Sequence, residues 1–165
     1  MAVLHEQFNH ILDTAHQACL IYYGDRLISL AVFGSVARGT MRPDSDVDLL
    51  VVVNDLPRGR LARVRDFEAV ETATVEVLSS AAREGIQTTL SPVLKTPEEV
   101  QKGSLLFLDM VDQAVILYDR DHFLRRYLGE LKKRLEVLGA RRVYRRGGYY
   151  WLLKPDLKPG EKITL

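Results

Sequence analysis

The sequence predicts an α/β (α+β) domain: a mixed β-sheet with helices packed on it. Three observations lead there. Short apolar or β-branched runs at 27–33, 46–53, 86–94 and 113–118 alternate with helical periodicity at 4–23, 58–83 and 123–138. The C-terminal part of 46–53 is apolar on both faces, as in a strand covered on both sides. The chain has 165 residues, 47% hydrophobic and 27% charged, a soluble globular balance that buries a core without disulfides.

The elements follow in order. Leu4, Phe8, Ile11, Leu12, Ala15, Cys19 and Tyr22 recur at helical spacing, and Gly24 stops that helix. Residues 27–33 form a strand, Gly34-Ser35 follow at once, and Val36 to Gly39 open a short helix. Pro43, Asp44 and Ser45 mark 40–45 as loop before the strand 46–53. An amphipathic helix over 58–83 ends near Gly85, and Pro92 assigns the strand 86–94 to an edge or an irregularity. Thr96 before Pro97 is a helix start, and a further short helix covers 104–110 before the strand 113–118. Asp119 or Asp121 caps the last helix, which Gly139 ends. Apolar and aromatic runs flanking Gly147-Gly148 predict a hairpin. The core is expected over residues 1–118. Residues 119–165 form a C-terminal helix and basic hairpin extension, expected to pack on the same domain.

Cys19 is the only cysteine, so no disulfide forms within the chain; a cytoplasmic setting and a buried thiol fit best. No basic segment followed by an apolar run opens the chain, and no stretch approaches about 18 apolar residues, so neither a signal peptide nor a membrane span is expected. The histidines 5, 10, 16 and 122 lack metal-ligand spacing. Charge is uneven: residues 120–165 hold 13 Lys and Arg against 5 acids, a surplus of +8, while residues 1–119 balance at −7. That asymmetry suits either an anionic partner, such as RNA, or packing against the acidic half. Tyr149, Tyr150 and Trp151 beside Arg145 and Arg146 fit base stacking or, preferably, a hairpin docking its aromatics on the core.

The chemistry concentrates between Gly34 and Asp48. Residues two apart on a strand share a face, so Asp46 and Asp48 present paired carboxylates at the start of a buried strand. Like charges there repel unless a cation joins them, and hard oxygen ligands suit Mg²⁺ (or Mn²⁺) together with substrate phosphates. Gly34 permits close backbone approach, a following helical turn offers free N–H groups, and the Ser35 hydroxyl can bond a phosphate oxygen. Arg38 and Arg42 add positive charge at the phosphate end.

Gly34-Ser35, ten intervening residues and then Asp46-x-Asp48, between a strand ending at Phe33 and the apolar run 49–53, resembles the signature of the DNA polymerase β-type nucleotidyltransferase superfamily. The match extends over about residues 4–94, and the short chain is similar to the minimal nucleotidyltransferases of bacteria and archaea. The resemblance implies two divalent ions about 4 Å apart bridging carboxylates and triphosphate. It implies an acceptor hydroxyl attacking the α-phosphorus of an NTP, ATP foremost, with Asp46 and Asp48 as metal ligands and Gly34 and Ser35 as triphosphate grip. It also implies a partner protein, a small helical HEPN-type toxin, as acceptor.

One departure stands out. The family usually carries a third carboxylate on the strand after the next helix, and residues 86–92 contain no acid. Glu84, Asp109 and Asp112 lie off the pattern. Two alternatives to the enzyme therefore follow: a non-catalytic nucleotide-binding, antitoxin-like module that pairs with a HEPN-type protein, and an RNA-binding accessory protein that uses the basic tail.

Overall fold

The computed structural model describes residues 2–163. Helix α1 (Ala2–Tyr23) leads into β1 (Leu27–Phe33), the short α2 (Gly34–Ala37) and β2 (Val47–Val53). The long α3 (Arg60–Arg83) returns to β3 (Leu90–Lys95), followed by α4 (Pro97–Gln101), α5 (Leu106–Gln113) and β4 (Val115–Asp119). Helix α6 (Phe123–Leu138) and the hairpin β5 (Arg141–Arg145) and β6 (Gly148–Leu152) complete the chain. The main sheet has the order β3-β2-β1-β4, and the hairpin is a separate two-stranded sheet. Strand β1 is antiparallel to both neighbours, whereas β2 and β3 run parallel, so the sheet is mixed as its sequence predicts.

Each face of the sheet has its own apolar layer. Phe8, Ile11 and Cys19 of α1 and Phe67 and Val70 of α3 pack on Leu49 and Val51. Phe107 and Met110 of α5 and Leu124, Leu128 and Leu131 of α6 pack on Leu50 and Val52. Strand β2 is therefore buried on both faces, and its one partly open residue is Asp48. The α6 stripe recurs every three or four residues because that spacing keeps one helix face on the sheet. Burial pushes the Cys19 thiol up to about 12, consistent with its place as a packed apolar group.

Thr96 and Glu99 form a reciprocal capping box at the start of α4. Strand β3 begins at Leu90 rather than residue 86, because the preceding backbone is engaged elsewhere: Gln87 N–H donates to Pro43 C=O and Thr89 C=O accepts from Val47 N–H. That register turns the backbone groups of residues 90, 92 and 94 toward the open edge. Pro92 therefore omits only an outward N–H, which explains its tolerance there.

Asp119 ties the sheet to α6. Its carboxylate accepts from Ser29 Oγ at 2.7 Å and from the Leu124 and Arg125 amides at 2.9 and 3.0 Å. Asp121 and His122 take left-handed conformations, and this excursion brings the first turn of α6 back over Asp119. Ser29 is fully buried.

The hairpin turn is Arg146-Gly147, with Gly147 at φ +93°, so Gly148 already pairs with Arg145. Asp109 of α5 anchors the hairpin by accepting from Tyr149 Oη at 2.8 Å and Trp151 Nε1 at 2.9 Å. Arg142 lies over both rings, 5.2 and 4.9 Å from their centroids, with Asp112 at 3.9 Å. Tyr150 faces outward, while Tyr144 lies beside Tyr149 on the same face as Arg142 and Trp151, with ring centroids 5.6 Å apart, and is exposed there. No helix of the described residues is long and apolar enough to cross a membrane.

Two outcomes test these anchors. Asp119→Ala leaves the buried Ser29 hydroxyl without its acceptor and should cost about 1–3 kcal/mol in urea unfolding. A loss within about 0.5 kcal/mol, typical of an ordinary surface change, contradicts the anchor. Asp109→Ala should red-shift the emission of Trp151, the single tryptophan, and speed amide exchange over 141–152. Unchanged emission and exchange would show that the apolar contacts of Trp151 alone hold the hairpin.

Candidate active site

The site forms where β1 ends and β2 begins. These strands are antiparallel neighbours with Phe33 opposite Asp48, so Gly34 leaves the sheet directly beside the Asp48 carboxylate. Gly34 has φ +70°, and a Cβ built on it would stand 2.2 Å from Asp48 Oδ2. Only glycine combines that backbone conformation with that approach. The glycine thus makes room for the chain's own carboxylate, a role its place at a strand end did not disclose.

Asp46 lies just before β2 and is exposed, while Asp48 is half-buried within it. Two hydroxyls from the neighbouring segment meet them. Thr89 Oγ1 donates to Asp46 Oδ1 at 2.9 Å, and Ser91, opposite Asp48 in the register, hydrogen-bonds the Asp48 carboxylate. Burial raises the Asp48 carboxyl above its ordinary range, and the Asp46 charge adds to this. The Ser91 hydroxyl and the Arg38 guanidinium pull it back. Thr89 and Ser91 repeat the x-spacing of the aspartates, a matched pattern that a search for a third acid passes over.

The remaining predicted residues divide. Ser35 lies in α2, whose first turn has no side-chain cap, so its leading amides are free of helical partners. Arg38 follows α2; its Nη1 donates to Gln113 Oε1 at 3.4 Å, and its charge reaches both Asp48 and the Tyr149 hydroxyl. Arg42 turns to Asp44 at 3.3 Å on an exposed loop that Ser45 closes by accepting the Arg42 amide. The other acids have separate roles. Glu84 accepts from Gln7 at 2.8 Å, Asp109 holds the hairpin, and Asp112 pairs with Lys132 at 2.9 Å.

Among the described residues no cluster of three or more His, Cys, Asp or Glu side chains could hold a metal alone. Two carboxylates with hard oxygens, one of them disfavoured as an anion by burial and by its neighbour, instead fit a magnesium-type ion that completes its shell with phosphates.

Residues 19–101 match the model of the nucleotidyltransferase domain. The Methanocaldococcus jannaschii protein named "Putative protein adenylyltransferase MJ1305" is 38% identical over 129 residues, 77% of this chain and 82% of that protein. The spectinomycin adenyltransferase AAD(9) of Enterococcus faecialis, solved with ATP and spectinomycin, shares the fold. Its TM-score is 0.52 at 12% identity, over 77% of this chain and 66% of that one. A toxin–antitoxin crystal structure with AMP-PNP aligns at TM-score 0.41 and 18% identity, over 75% of this chain and 92% of that one.

Gly34→Ala tests the close approach. A left-handed non-glycine residue costs about 1–2 kcal/mol, and the methyl group must also displace the Asp48 carboxylate. The variant should therefore unfold at lower urea and shift the Asp48 carboxyl carbon resonance. Wild-type stability with an unmoved resonance would contradict this geometry.

Proposed function

The chain belongs to the nucleotidyltransferase domain family, and on that premise we propose that it moves AMP from ATP to a hydroxyl of a partner protein. The observation that carries the proposal is the Asp48 carboxylate packed against the Gly34 turn, with Asp46 two residues before it at the start of the same strand. Two carboxylates at the start of β2 and a helical turn that begins at Gly34 support a metal-bound triphosphate as the ligand. The name of the 38% identical relative supports adenylyl as the group and protein as the acceptor.

In this proposal Asp46 and Asp48 hold Mg²⁺, or Mn²⁺ with the same oxygen ligands. When bound, that ion neutralises charge on the triphosphate and the departing pyrophosphate. Gly34 gives the Asp48 carboxylate its room, the α2 amides and Ser35 hydroxyl take phosphate oxygens, and Arg38 adds positive potential. Arg42, paired with Asp44, is a peripheral contributor. The acceptor oxygen bonds to the α-phosphorus, the α–β bridge bond breaks, pyrophosphate leaves, and the hydroxyl proton passes to solvent. The protein's contribution is positioning and charge neutralisation.

A second reading rests on Ser91. The β3 residue opposite Asp48 is a hydroxyl, not an acid, so the site can serve as a nucleotide-binding module that restrains its partner without turnover. The HEPN-type helical protein implied by the sequence resemblance is the partner to try first. RNA is a second candidate, through the outward Tyr150 and the neighbouring Arg145 and Arg146.

Incubation with Mg²⁺ and ATP labelled at the α- or γ-phosphate, with a HEPN-type protein or RNA, separates these readings. Label should move from the α position to protein, and Asp46→Asn or Asp48→Asn should reduce it to background while the fold persists. Transfer of the γ label alone would make the protein a kinase. ATP binding without transfer, and partner neutralisation indifferent to Asp46→Asn, would favour the module. RNA capture that weakens steeply with salt would favour the third reading.

A further inference from the structure

Asp46 and Asp48 stand in an array with two hydroxyls on one face of the sheet. Residues two apart on a strand share a face, and β2 and β3 run parallel with Asp48 opposite Ser91. One step back along both strands the pairing repeats, where Thr89 Oγ1 donates to Asp46 Oδ1 at 2.9 Å. The result is two carboxylate–hydroxyl rungs, Asp46–Thr89 and Asp48–Ser91. We infer that this array holds one divalent ion together with the nucleotide phosphates, not two, and that Thr89 and Ser91 are the positioning residues of its carboxylates. This rests on the nucleotidyl-transfer reading and names the metal stoichiometry of that site.

The neighbours of the pair set the number of ions. On the same face Leu50 follows Asp48 and Val93 follows Ser91, and both pack in the apolar layer with α5 and α6. On the other side of Asp48 stands Phe33 of β1, which packs against the same layer. Beside the carboxylates the sheet therefore offers hydroxyls and apolar groups, and no third negative charge. The α5 helix over this face does not supply one: Asp109 accepts from Tyr149 and Trp151, and Asp112 pairs with Lys132.

Charge points the same way. A magnesium-type ion takes one or two protein carboxylates and completes its shell with phosphates and water. One such ion matches the two negative charges of the pair. A second ion, about 4 Å away as in two-metal sites, would have to share the same two carboxylates. It would also add its charge within reach of the Arg38 guanidinium.

The hydroxyls have a different task. A hydrogen bond to one edge of a carboxylate fixes its rotation and leaves the other oxygen for an ion. At Asp46 the bond is to Oδ1, which leaves Oδ2. At Asp48 the Gly34 turn confines the carboxylate on its Oδ2 side while Ser91 holds it from β3. Both carboxylates are thus oriented from strands, which place a site more firmly than loops do.

The test uses the full chain with Mn²⁺ and α,β-methylene-ATP, whose α–β bridge does not break. Electron paramagnetic resonance of the wild-type complex should count one Mn²⁺ per chain, with the spectrum of an isolated ion. Thr89→Val and Ser91→Ala should weaken Mn²⁺ binding in that complex about tenfold. Thr89→Ser, which keeps the hydroxyl, should bind as wild type does. Ser91→Asp supplies the missing charge and should take up a second ion, seen as an exchange-coupled pair. An exchange-coupled pair in the wild type would overturn the inference, as would unchanged affinity in both hydroxyl-free variants or a single ion in folded Ser91→Asp. One bound ion without transfer from α-labelled ATP would defeat the transfer reading and leave the single-ion site standing. Wild type that binds neither Mn²⁺ nor the nucleotide would defeat both.

Discussion

The approach of Gly34 to the Asp48 carboxylate, tighter than any side chain permits, is the constraint around which the rest is arranged. Strand β1 must end at Phe33, opposite Asp48, for the turn to form there. Strand β2 must be fixed in depth, and it is, by apolar layers on both of its faces. A one-residue slip of either strand would turn Asp48 into the core and a valine or leucine toward the turn. The two apolar layers thus do more than stabilise the domain: they hold the register that creates the site.

Electrostatics follows from that placement. A carboxylate half-withdrawn from water beside a second carboxylate is an unfavourable anion. The fold offsets this only in part, with one hydroxyl for each acid and Arg38 nearby. What remains is a site whose charge asks for a cation, at the mouth of a turn whose amides ask for an anion. A metal-bound polyphosphate, the ligand proposed above, would answer both. Three other acids lie elsewhere: Asp109 and Asp112 face the hairpin, and Glu84 meets Gln7.

The basic C-terminal region is divided between two uses. Lys132 and Arg142 lie against Asp112, and Arg142 also covers the rings of Tyr149 and Trp151, so part of the surplus is matched internally. Arg145 and Tyr150 face away from that contact. Arg38 donates to Gln113 of α5, and the hairpin is anchored on Asp109 of the same helix, so both meet α5.

The mixed sheet, its helices and the caps at Thr96 and Gly139 were legible in the sequence, as was the spacing that singles out Gly34, Ser35, Asp46 and Asp48 as candidates. Each is encoded locally, by periodicity, by a turn residue or by spacing along one strand. The start of β3 at Leu90, the partnership of Thr89 and Ser91 with the aspartates and the anchoring of the hairpin on Asp109 were not. These join residues some forty positions apart, and no local pattern states which strand lies beside which or in what register. Likewise the place of Gly34 at a strand end could be read from the sequence. Only the packing of β1 against β2 decided that the atom it makes room for is Oδ2 of Asp48.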